Sequence, residues 1–67
     1  MHTHHIEIAI RPLSDWPDDQ VLLVYRLLAA DVREILADPE HDPRRLADTR
    51  RDAELFGVEA ARRRLAI

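Results

Sequence analysis

The chain has 67 residues, of which 34% are charged and 46% apolar, with a net charge of −3 and no cysteine. At this length folding hides only ~60% of the surface that the unfolded chain exposes, so a lone core is marginal. The missing cysteines remove disulfides, thiolate metal sites and thiol nucleophiles, and the longest apolar run, Val21–Tyr25, is far short of the ~20 residues that span a bilayer.

The composition also excludes a disordered tail. With one glycine and one candidate strand, neither a phosphate-cradling loop nor a doubly wound sheet can be built. The N-terminus has no signal-peptide apolar stretch, so the expected location is the cytoplasm. Charge is unevenly spread. Residues 1–42 carry three Arg against nine acidic residues, and residues 43–67 carry seven Arg against four. Such asymmetry suggests a head-to-tail electrostatic partner or one basic surface for an acidic one; the plainer account is a solvated helix face on which Arg and carboxylates alternate. Every basic residue is Arg and Asn is absent too, a bias that reads as GC-rich bacterial or phage coding.

Residues 3–11 alternate with period two. Ile6, Ile8 and Ile10 share one face, and His5, Glu7, Ala9 and Arg11 share the other, which predicts a short β-strand. Pro12 cannot donate to a strand ladder and closes it, and Leu13 to Trp16 is a turn. A helix is predicted over about 17–37, with Pro17 in its first turn, Ser14 or Asp15 as cap, and Asp18 and Asp19 where the helix dipole favours anions. Its main apolar arc runs through Val21, Leu22, Val24, Tyr25, Leu28, Ala29, Val32, Ile35 and Leu36, wider than one neighbour requires. Leu23 and Leu27 form a second stripe among polar residues, so this helix needs two things to pack against.

Asp38-Pro39-Glu40-His41-Asp42 breaks the helix, and Asp42-Pro43 repeats the cap-and-proline start signal. A second helix is predicted over about 43–66. Leu46, Ala53, Ala60 and Ile67 recur every seven residues, with Thr49, Phe56 and Arg63 between them. Gly57, beside Ala53 and Ala60, either marks a close approach of another helix or breaks the segment. The predicted fold is mainly α: one domain over 1–67, a short N-terminal strand followed by an antiparallel two-helix hairpin, completed by another chain. The completion follows from the strand, which has no partner in the sequence. Its unmatched donors and acceptors call for a second copy or the sheet edge of a different protein.

Chemistry-bearing residues are few. His2, His4 and His5 form a candidate metal cluster, but histidines beside a chain terminus are usually solvated, and no metal site is predicted. No carboxylate pair sits on an apolar face, and Ser14, the only Ser, has no His near it in sequence; neither catalysis nor a cofactor is expected. Two resemblances bear on nucleic acid. The order strand–helix–helix resembles the ribbon-helix-helix repressors, which implies pairing of two strands and base contacts from His5, Glu7, Ala9 and Arg11. The chain departs from that pattern in Glu7 and Ala9, in a longer first helix, and in Asp38–Asp42 where the family has a short glycine-containing turn. Separately, Ala53-Glu54-Leu55-Phe56-Gly57-Val58 resembles the turn of helix-turn-helix domains, which implies a recognition helix opening at Glu59 with Arg62, Arg63 and Arg64 near phosphates. Arg63 and Asp52 stand where that pattern has apolar residues.

The function expected from the residues is a non-catalytic protein-interaction module, a homodimer or a small regulatory or structural subunit of a complex. Its partner-binding candidates are Ile6, Ile8, Ile10, Trp16, Leu23, Leu27 and Phe56. The alternative is a small DNA-binding regulator acting through Arg11 and Arg62–Arg64.

Overall fold

The computed structural model describes residues 11–66, in which a 3-10 turn at Leu13–Asp15 precedes helix α1 at Asp18–Ala37 and helix α2 at Pro43–Arg62. The strand predicted at residues 3–11, with Ile6, Ile8 and Ile10, lies outside the described residues apart from Arg11; His2, His4, His5 and Ile67 lie outside them too.

The start of α1 differs from expectation. Ser14 and Asp15 belong to the 3-10 turn, and the capping residue is Pro17, extended at φ −62°, ψ 151°, with no side chain on the free N–H groups. Trp16 is extended as well, which carries Ser14 and Asp15 too far back to reach the first helical turn. The Pro17 carbonyl accepts the N–H groups of Gln20 and Val21, each at 3.1 Å. Asp18 and Asp19 occupy the first turn, where their charge opposes the helix dipole.

Residues 38–42 turn the chain with their own side chains. Asp38 leaves the helical region, its Oδ1 accepts the Glu40 N–H at 2.9 Å, and its carbonyl accepts the His41 N–H at 3.2 Å. His41 Nδ1 stands 2.7 Å from the same carbonyl and so carries the ring proton. Asp42 Oδ1 then accepts the Arg44 N–H at 2.9 Å, with Pro43 in the first helical position, the start signal read from the sequence.

α2 passes through Gly57 without interruption, which settles the choice between break and contact in favour of contact. It stops four residues before the predicted end. Arg63 sits at φ −86°, ψ −3° and Arg64 at φ 60°. The Arg64 N–H reaches the Ala61 carbonyl at 3.0 Å and the Leu65 N–H reaches that of Ala60 at 2.9 Å. This is a Schellman ending with Arg in the left-handed position that glycine usually takes.

The helices are antiparallel. Asp18 meets Arg63 at one end, Tyr25 meets Gly57 in the middle, and Asp31 meets Arg45 near the loop. Among the described residues Val21, Ile35 and Ala60 are the buried apolar ones, flanked by half-buried Val24, Leu28, Leu46, Ala53 and Phe56. The predicted seam of α2 therefore faces α1. Of the apolar arc on α1, Leu36 is exposed, because only two helices share the interface.

Candidate functional site

The hairpin is a plate two helices wide, and its two faces are built differently. On one face the segment leading into α1 folds across α2. Trp16 meets Phe56 edge-on, ring centroids 5.4 Å apart and planes at 75°, an arrangement that places the positive ring edge against the negative ring face. The indole Nε1 donates to the Arg11 carbonyl at 3.3 Å. Trp16 thus packs on the second helix, and both rings have an intramolecular partner.

Arg63 holds this face together. Its Nε donates to Glu59 Oε2 at 2.6 Å, one terminal nitrogen donates to the Trp16 carbonyl at 2.6 Å and to Asp18 Oδ1 at 2.8 Å, and the other donates to the carbonyls of Leu13 at 3.0 Å and Ser14 at 3.2 Å. A planar fork of five N–H groups suits this task; a single ammonium could not reach all five acceptors. The bonds satisfy carbonyls of the 3-10 turn and tie it to the far end of the chain. Glu59 also accepts from Arg62 Nε at 3.2 Å. Hydrogen bonds from Arg62 and then Arg63 hold the Glu59 carboxyl down at about 2, and the same bonds push both guanidinium values up. A carboxylate clamped in this way is a structural anion, not a proton carrier near neutral pH.

On the other face Gly57 lets the helices close up. A Cβ placed there would lie 2.9 Å from Tyr25 Cε1 and 3.5 Å from Cδ1. Beside this contact runs an open apolar groove of about 380 Å³, lined by Tyr25, Ala53, Glu54, Gly57, Val58 and Ala61. Val58 is 62% exposed and the neighbouring Leu55 57%. Leu23 and Leu27, predicted as a second stripe on α1, are 57% and 61% exposed.

The predicted sites therefore separate. Trp16 and Phe56 come together inside the chain, while Leu23 and Leu27 stay on its surface. Of the basic candidates, Arg63 bonds five internal acceptors; Arg11, Arg62 and Arg64 are exposed, and of these Arg62 is paired with Glu59. The helix-turn-helix resemblance implied a turn at Ala53–Val58, but these residues lie within one unbroken helix. The reason is energetic: a single Gly costs a helix about 1 kcal/mol, too little to break one held by a capped start and a packed seam. Sequence reasoning missed the clamp and the groove. A charged residue on an otherwise apolar seam, Arg63, was the available signal for the first.

Among the described residues no cluster of three or more His, Asp or Glu is placed to hold a metal ion, and no helix is long and apolar enough to cross a membrane. No protein-family model, curated protein or solved structure matches the chain.

Proposed function

We propose that the chain is a cytoplasmic, non-catalytic interaction module, working as a homo-oligomer or as a small regulatory or structural subunit. It assembles through its N-terminal segment, with Ile6, Ile8 and Ile10, and through apolar surface on its helices. The observation that carries this reading is the ratio of covered to uncovered apolar residues. Among the described residues three apolar side chains, Val21, Ile35 and Ala60, are buried, while Leu23, Leu27, Leu36, Leu55 and Val58 are all exposed. Fully burying an exposed side chain of this kind contributes about 1.5–3 kcal/mol, and these five, each about half exposed, leave a sizeable part of that unrealised. A lone domain of this size without disulfides gains most from a partner that covers it.

Two measurements test the proposal. Purification from the native host recovers either a stoichiometric protein partner or a self-associated species. Ile8→Lys, which places a charge among the three isoleucines, lowers the assembled mass in light scattering with helix content unchanged. Recovery of a monomer with no partner under mild extraction would refute the module reading. Salt-sensitive gel shifts on genomic fragments, abolished by replacing Arg11 or Arg64, would replace it with the regulator.

A further inference from the structure

We propose that copies of this chain associate head to tail, the Leu23/Leu27 ridge of one copy seating in the Tyr25/Gly57 groove of the next. This rests on the module reading and deepens it by naming the partner surface. Shape is the first argument. The groove floor is made of Ala53, Gly57 and Ala61, spaced four apart along α2, so nothing longer than a methyl rises from it. The ridge consists of two leucines four apart on α1, the same repeat, both more than half exposed. A ridge spaced i, i+4 fits a groove of that spacing, as in ordinary helix packing.

Position is the second argument. Val21 and Ile35 mark the core side of α1, and successive residues step about 100° around it. Tyr25 then lies to one side of the core direction and Leu27 to the other. On α2, with Ala60 marking the core side, Gly57 and Ala61 fall on the groove side and Phe56 and Glu59 on the opposite one. Groove and ridge are thus on opposite faces of the plate. A contact between unlike surfaces on opposite faces does not close on two copies and propagates instead.

Charge is the third argument. Helical spacing brings Arg33 and Arg50 to the groove side, along with Glu54, and none of the three forms an ion pair among the described residues. The ridge side carries Glu34 and Asp52, also outside every ion pair among the described residues, while Asp31 and Asp48 are matched by Arg45 and Arg51. In unpaired charge, a face weighted toward Arg thus meets a face weighted toward carboxylates. Pairing two grooves with each other would bring Arg33 and Arg50 of each copy toward those of the other, and like-charge contact works against that arrangement.

The test uses the full chain and two variants at exposed positions, Leu27→Glu on the ridge and Ala61→Glu in the groove. Sedimentation velocity of the native chain from low micromolar concentration upward should show a mass that rises past twice 7.8 kDa. It should fall with added salt. Each variant alone should lose the species above one chain, with helical circular dichroism retained. An equimolar mixture of the two should recover a species of two chains and none larger, because one intact groove then meets one intact ridge. A native mass that stays at one chain, or that stops at two, overturns the proposal. So does a mixture that remains monomeric, or association lost through only one of the variants. A native chain that does not self-associate but holds a stoichiometric foreign protein overturns the head-to-tail contact and leaves the module reading standing.

Discussion

Gly57→Ala sets helix propensity against packing, and the structure decides the sign. In an exposed helix interior, alanine is favoured over glycine by about 1 kcal/mol. Here the new methyl would stand 2.9 Å from Tyr25 Cε1, against the ~3.5–4.0 Å at which carbon atoms attract best. The ring or the helix must therefore retreat by roughly half an ångström to an ångström. Overpacking of this kind costs typically 1–3 kcal/mol, so the net expectation is destabilisation of about 1 kcal/mol. Tyr25→Leu removes the clashing Cε1 while keeping apolar bulk. In that background Gly57→Ala should stabilise by up to about 1 kcal/mol, the propensity effect alone, which leaves a coupling of about 2 kcal/mol between the two sites. Urea unfolding followed by circular dichroism, at one fixed low protein concentration because association would shift the midpoint, measures all four proteins. Gly57→Ala stabilising the native chain, or acting equally in both backgrounds, would refute the account of Gly57 as a contact residue.

Three further outcomes follow from the same geometry. Arg63→Met should free the 3-10 turn, seen as a red shift and easier quenching of Trp16 fluorescence with a lower Tm, and Arg63→Lys should not rescue it, because an ammonium cannot satisfy three carbonyls and two carboxylates together. An unchanged Trp16 spectrum in both variants would remove the clamp. Arg64→Gly relieves the residue at φ 60° and should stabilise by ~0.5–1 kcal/mol by thermal or urea unfolding; destabilisation would mean that the Arg64 side chain is itself needed. Glu59, lowered from an ordinary 4.5 to about 2, contributes stability that is fully present above pH 4.5 and is lost as the pH falls toward 2. Glu59→Gln should be less stable at neutral pH and should show a flatter acid dependence across that window; parallel curves for the two proteins would refute the pairing.

Much of the hairpin was legible in the sequence because it is written locally. The period of the apolar residues along α1, the Asp42-Pro43 start and the Asp38–Asp42 break are all signals that act within a few residues, and each stands where it was read. The seven-residue repeat of α2 was enough to say which of its sides meets α1. Where local signals misled, a tertiary contact intervened. Ser14 looked like a helix cap, but the chain from Leu13 to Trp16 is held across α2 by Arg63, forty-seven residues after Trp16. Arg63 stood out as a charge on the seam, but nothing near it in sequence announces three carbonyls as its partners.

Composition and periodicity determined that this chain makes two amphipathic helices and that two helices of this width leave apolar surface over. The Leu23/Leu27 stripe was legible as well, but only the tertiary structure placed the groove. How α1 rotates against α2 depends on how closely they approach, and Tyr25 over Gly57 fixes that distance. Beside that one contact runs the groove, on the face opposite the leucine ridge. Contacts between residues thirty and more positions apart have no local signature, because they arise only once both helices exist and settle into the packing that costs least.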